Sequence, residues 1–280
     1  MSTQYPASSL DGKVIIITGA ASGMGRAAAL LCAARGAAVV AADLHAEGVK
    51  DVAAEIESSG GAALAQAADL TAEDDVNQLV EAAVDRFGTV HALHNNAYAV
   101  HPGAATDLVN TSLEAWDWTL RTCLTSQFLC ARAVLPHMLG NGAGSIINVS
   151  SGNGFGGSAT AAAYGAAKAG VAVLTKYIAT QYGKQGIRCN TLVPGWTIAT
   201  GWTGADEEKF TDAQRGLFEA ALEDVCMTDL ARPEDIAPVV AFLASDDARY
   251  VQAATIDVNG GLLAHLAGAA GRPSPAPGAG

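Results

Sequence analysis

A phenol and an ammonium four residues apart can make an acid/base pair. Tyr164 and Lys168 stand at that spacing in Tyr-Gly-Ala-Ala-Lys, inside a stretch that reads as helix. Four helical residues advance about 400°, so both side chains leave one face a turn apart. A phenol is a poor base at its reference pKa of about 10, and a neighbouring ammonium lowers that value. Ser151, 13 residues before the tyrosine, follows a strand-like run, where open α/β sheets bind their ligands. Its hydroxyl suits holding a substrate oxygen while charge develops.

A second group of residues suits a dinucleotide. Residues 18–25, Thr-Gly-Ala-Ala-Ser-Gly-Met-Gly, join the first apolar run to a helical stretch. Gly19, Ser22, Gly23, Met24 and Gly25 would let the backbone approach a pyrophosphate at a helix N-terminus. Asp43 lies 20 residues after Gly23, at the end of the second apolar run. A carboxylate there accepts hydrogen bonds from the ribose hydroxyls of NAD and repels the extra phosphate of NADP; a helix N-cap is its other reading. Asp69 and Leu70 suit an adenine edge, and Asp69 equally suits an N-cap.

The elements that must position these groups follow from periodicity. Nearly continuous apolar runs at 14–17, 38–42, 62–67, 90–94, 145–149, 188–193 and 254–258 fit strands buried on both faces. Helical spacing fills 23–35, 46–59, 73–87, 113–139, 160–183 and 233–244. The alternation predicts an α/β fold: a Rossmann-type, doubly wound, parallel seven-stranded sheet with helices on both faces. One domain over 11–265 is expected, with loose tails at 1–10 and 266–280 and a substrate loop at about 196–228.

Composition narrows the classes further. The 280 residues are 50% hydrophobic and 16% charged, with net charge −12, which excludes a disordered chain. That acidity, without a Lys/Arg cluster, argues against nucleic acid and anionic membrane as partners. No apolar run reaches the ~18 residues of a membrane span, and the polar opening is no signal peptide, so a cytoplasmic location is expected. Cys32, Cys123, Cys130, Cys189 and Cys226 lack disulfide or metal spacing, and the histidines show no ligand motif; no metal is expected.

Taken together, order and spacing resemble the short-chain dehydrogenase/reductase family. Residues 18–25 resemble its TGxxxGxG, Tyr164 to Lys168 its YxxxK, and Ser151 its catalytic serine. Asn96 lies in a region similar to its NNAG, and the stretch Arg188-Cys189-Asn190 through Pro194-Gly195 matches another segment. The resemblance implies NAD-dependent oxidation of an alcohol to a ketone or aldehyde. In it Tyr164 exchanges the proton, Ser151 holds the substrate oxygen, and Lys168 binds the nicotinamide ribose and depresses the tyrosine pKa. Pro194, Gly195 and Thr197 would flank the carboxamide. A homodimer or homotetramer is implied too, built on the long helices that carry Phe128, Leu129, Val134 and Leu135, although a core face would look the same.

Two departures stand out. Tyr98 replaces the Gly of NNAG, so it must narrow the cleft or point away. Cys123 falls where the family carries an Asn that holds a relay water. Three readings of Cys123 stay open: a relay through backbone and water, a slow enzyme, or a substitution introduced into this copy. Tyr98, Phe155, Trp196 and Trp202 would wall a hydrophobic secondary alcohol or ketone, cyclic or aromatic, or simply pack the loop. The alternative to an enzyme is an NAD-binding sensor or scaffold of the same fold.

Overall fold

The computed structural model describes residues 9–198 and 211–264. Seven strands, β1 (Val14–Thr18), β2 (Ala38–Asp43), β3 (Ala62–Ala67), β4 (Ala92–Asn95), β5 (Gly144–Val149), β6 (Ile187–Pro194) and β7 (Thr255–Val258), form one sheet. Its order is β3-β2-β1-β4-β5-β6-β7 and every neighbouring pair is parallel. Eight α-helices lie among the described residues: α1 (Gly23–Ala34), α2 (Ala46–Ser58), α3 (Glu73–Phe87), α4 (Leu113–Leu120), α5 (Ser126–Asn141), α6 (Ala162–Tyr182), α7 (Asp212–Glu223) and α8 (Pro233–Ala244).

The apolar runs lack alternation because both strand faces are covered. Ile15 and Ile17 of β1 pack with α1, α2 and α8, while Val14 and Ile16 pack with α3, α5 and the end of α6. Successive side chains of a strand point to opposite faces, so one run of isoleucines supplies both cores. The doubly wound sheet expected from the sequence is the one observed.

Three details differ from expectation. The stretch 113–139 is not one helix: α4 and α5 are separated by a π-helical turn at Arg121–Thr125, which contains Cys123. Helix α7 arises within the proposed substrate loop, where no helix was expected. At the N-terminal side, Leu10 is fully buried and its amide donates to the Arg35 carbonyl at 2.8 Å, so order begins inside the expected tail. Of the four residues that suited an interface or a core face equally, Leu129, Val134 and Leu135 lie in the core under α5. Phe128 alone of these is exposed.

His94 on β4 sits between Ile17 and Ile147 in register. It is fully buried, and neither ring nitrogen has a hydrogen-bond partner of good geometry among the described residues. Burial lowers its pKa to about 4, the Ile147 backbone offsetting only part of that. An unfolded histidine titrates near 6.5. Between those values the unfolded chain binds the proton and the native chain does not, so stability is full above about pH 6.5 and falls as pH drops toward 4. At 1.36 kcal/mol per unit, about 3 kcal/mol is lost. Urea denaturation at pH 7 and pH 4.5 should show His94→Leu losing less stability than the wild type by roughly that amount.

Candidate active site

The glycine turn is held by packing that leaves room for nothing larger. Gly19 has φ +67, and a Cβ there would lie 2.8 Å from Asn96 Nδ2. A Cβ on Gly25 would lie 2.1 Å from the Gly19 carbonyl oxygen. Ser22 is the N-cap of α1, in extended conformation and without a side-chain hydrogen bond to the helix. No acidic residue occupies the first turn of α1, whereas α2, α3 and α8 carry Glu47, Glu73 with Asp74 and Asp75, and Glu234 with Asp235. The N–H groups and positive dipole end of α1 are therefore left for an external anion.

From this turn a cleft of ≈ 370 Å³ runs across the carboxyl ends of β1, β2 and β4. Gly19, Ser22, Gly23, Met24, Asp43, Asp69, Leu70, Asn96 and Tyr98 all line it, and Gly25 does not. Asp43 is not a helix cap, since His45 occupies that place on α2. Its carboxylate oxygens accept instead from Ala21 N at 3.2 Å and His45 N at 3.0 Å. These bonds aim the carboxylate along the cleft and leave each oxygen a lone pair. Asp69 Oδ1 closes a turn by accepting from Thr71 N at 2.9 Å and Thr71 Oγ1 at 2.8 Å. The cap of α3 is Ala72.

Asn96 lines the cleft, but its side-chain amide nitrogen is spent on the turn. It donates to the Thr18 carbonyl at 2.9 Å and the Gly19 carbonyl at 3.4 Å. Sequence reading missed Thr122 and Ser126 of the cleft wall. Small hydroxyls inside a helix carry no signal of what they face.

Beyond Tyr98 the three candidate catalytic residues meet. Ser151, two residues past the end of β5, caps a short 3-10 turn, its hydroxyl accepting from Asn153 N at 3.3 Å. Helix α6 brings Tyr164 toward it and packs on that turn so closely that a Cβ on Gly154 would lie 2.8 Å from the Lys168 backbone. The Ser150 hydroxyl donates to the Lys168 carbonyl at 2.7 Å, locking strand end to helix. Ala161 begins α6 in the left-handed region, φ 61, its N–H held by the Thr106 carbonyl at 3.1 Å.

Electrostatics differ from the simple expectation. Burial raises the Tyr164 pKa above the usual phenol range, and a hydrogen bond from the Ser151 side pulls it partly back. Burial lowers Lys168 to about 8. The lysine ammonium donates to the Val149 carbonyl at 2.9 Å and lies 5.6 Å from the Tyr164 ring centroid. The Lys168 ammonium therefore lies within cation–π reach of the Tyr164 ring, and burial outweighs every other influence on the phenol. Tyr98 points into the site, its ring centroid 6.1 Å from that of Tyr164, so it narrows the cleft. Cys123 is fully buried and donates to the Ala99 carbonyl at 3.0 Å.

Pro194 and Gly195 close β6 against β7, with Gly195 N donating to the Val258 carbonyl at 3.1 Å. Thr197 bridges to Ala231, and its hydroxyl donates to the Gly195 carbonyl at 3.2 Å. None of these three is among the residues lining the cleft. Phe155 and Trp196 are partly exposed, and Trp202 lies outside the described residues. Among the described residues no cluster of His, Cys, Asp or Glu could hold a metal, and no helix is long and apolar enough to cross a membrane.

The residues fit a nicotinamide dinucleotide. An uncapped helix start suits the phosphates, a directed carboxylate suits ribose hydroxyls, and a buried ammonium with a single acceptor among the described residues has donors to spare.

Residues 19–263 match the family model described as Enoyl-(Acyl carrier protein) reductase. The chain is 41% identical over 254 residues to the cis-4-hydroxycyclohexanecarboxylate dehydrogenase of Sinomonas cyclohexanicum, covering 90% of this chain and 97% of that one. It is 35% identical over 255 residues to the 7alpha-hydroxysteroid dehydrogenase of Bacteroides fragilis, covering 91% and 96%. A crystal structure from Burkholderia xenovorans, described as a short-chain dehydrogenase/reductase, matches with TM-score 0.84 and 32% identity over 93% of this chain and 100% of that one.

The Gly25 contact yields a direct test. In Gly25→Ala the added methyl must displace the Gly19 carbonyl, which should weaken NAD+ binding by about a hundredfold, read by calorimetry. The melting transition should also fall, reflecting an overpacking penalty of about 1–3 kcal/mol.

Proposed function

The chain belongs to the short-chain dehydrogenase/reductase family, and from that premise we propose that it is an NAD-dependent dehydrogenase interconverting a hydrophobic, ring-bearing secondary alcohol and its ketone. The observation that carries this reading is the meeting of Ser151, Tyr164 and Lys168 just beyond a cleft whose far end is Asp43.

The nicotinamide, when bound, exchanges the hydride with the substrate carbon. Everything else falls to the chain. The α1 N-terminus and the amides around Ser22 hold the phosphates, and Asp43 accepts from the ribose hydroxyls. Lys168 binds the second ribose with the N–H groups that Val149 does not use. Ser151 donates to the substrate oxygen. Tyr164 gives that oxygen a proton in reduction and takes it in oxidation. Burial keeps the phenol protonated in the free chain, so the resting protein is set for ketone reduction, and oxidation is favoured as pH rises.

Two features support NAD over NADP. The residues lining the cleft include the carboxylates Asp43 and Asp69 and no Lys, Arg or His. A phosphate on the ribose would then meet negative charge with no counter-ion. Substrate class rests on the aromatic Tyr98 at the mouth and on the two dehydrogenase relatives, whose names place the alcohol on a cyclohexane and on a steroid ring. Five free cysteines suit a reducing, cytoplasmic setting. Assembly into a homodimer or homotetramer belongs to the same reading, and it would cover the exposed Phe128, Val173 and Tyr177.

A panel of cyclic secondary alcohols with NAD+, followed at the nicotinamide absorbance, tests the activity. Tight NAD+ binding with every alcohol inert would favour the sensor instead. Tyr164→Phe should lower kcat by about 10²–10⁴-fold while leaving NAD+ affinity within about twofold. Asp43→Asn should cut the preference for NAD+ over NADP+ by about 10–100-fold, the equivalent of about 1.5–3 kcal/mol of charge-assisted hydrogen bonding. An unchanged ratio of kcat/KM values would remove Asp43 from the ribose site.

A further inference from the structure

Lys168 is the largest of the fully buried side chains among the described residues. Its ammonium carries three N–H donors, yet Val149 O at 2.9 Å is its one hydrogen-bond acceptor among those residues. What else faces it is aromatic. The Nζ lies 5.4 Å from the Tyr98 ring centroid and 5.6 Å from that of Tyr164, both within the ~6 Å reach of a cation–π contact. The other titratable group acting on it is Cys123, which favours its charged form against burial.

Tyr98 is held there from behind. The carbonyl of the next residue, Ala99, accepts from Thr122 Oγ1 at 2.9 Å and Cys123 Sγ at 3.0 Å. Both donors belong to the π-helical turn, whose wider winding brings two consecutive side chains onto one carbonyl. Tyr98 itself remains over half exposed.

Resting on the reading that Lys168 is the cationic partner of Tyr164, we propose that Tyr98 is a positioning residue acting through Lys168. Its ring face favours the ammonium over the amine and holds it against the Val149 carbonyl, and Thr122 with Cys123 fixes the ring in place. On the acid/base step Tyr98 acts through the lysine, whatever contact its ring also makes with a substrate.

The test titrates Lys168 in the full-length free protein, with neither nucleotide nor alcohol present. Lysine labelled with 13C at Cε reports protonation by NMR, and Lys168→Met assigns the resonance. Tyr98→Leu keeps an apolar group over the ammonium but removes the π face, so the Lys168 midpoint should fall by about 0.5–1 pH unit. Tyr98→Phe restores the ring and should titrate as the wild type does. Thr122→Val combined with Cys123→Ala frees the Ala99 carbonyl and should shift the midpoint in the same downward direction. Tyr98→Met serves as the second aliphatic variant if Tyr98→Leu does not fold. A midpoint that stays put or rises in the aliphatic variants overturns the proposal. Because no turnover is measured, an inert alcohol panel would sink the dehydrogenase reading while leaving this titration intact.

Discussion

The hydroxyl of Thr18 ties the two halves of the site together. It donates to the His94 carbonyl at 3.2 Å and accepts from Asn96 N at 2.9 Å and Ala97 N at 3.1 Å, which uses one donor and both lone pairs. Asn96 answers with its side-chain amide on the Thr18 and Gly19 carbonyls. Both residues are buried, so none of these groups has water to fall back on. The knot joins the end of β1 to the end of β4. It thereby fixes the glycine turn relative to the segment that carries Tyr98 and Ala99, and through them the candidate catalytic residues. A loosened Thr18 would leave both halves of the cleft formed but out of alignment.

Burial then sets the resting chemistry. Desolvation opposes charge on either member of the Tyr164 and Lys168 pair, raising the phenol and lowering the ammonium. The pair rests nearer neutrality than two surface side chains would. Groups brought in by a nucleotide and a substrate, above all acceptors for the lysine, are what tip it toward the charged form. Asp43, half-buried at the other end of the cleft, is oriented by two backbone amides that donate to its carboxylate.

Much of this was legible beforehand because it is local. Strands buried on both faces write themselves as unbroken apolar runs, and Tyr164 and Lys168 announce a shared helix face by spacing alone. The glycine turn is readable because only glycine tolerates such close approach. Other features depend on tertiary distances. The π-helical turn at 121–125 has no compositional mark, so 113–139 reads as one helix. Asn96 lines the cleft as expected, but that its amide serves Thr18 emerges only when β1 lies beside β4. Leu129, Val134 and Leu135 read equally as core or contact surface, and the packing of α5 on the sheet decides for core. The placing of the Lys168 ammonium over two rings likewise required the fold.

The strand order also bears on how the cleft comes together. β1, β2 and β3 pair with chain neighbours, as do β4, β5 and β6, so each half can assemble from contiguous segments. β1 and β4 instead meet across a long separation, exemplified by the Val14 N to His91 Nδ1 bond that spans 77 residues. Among neighbouring strands that pairing has the largest separation along the chain, and loop closure makes it the costliest of them to bring together. The seam is also the floor of the cleft, so the groove exists only once β1 and β4 have met.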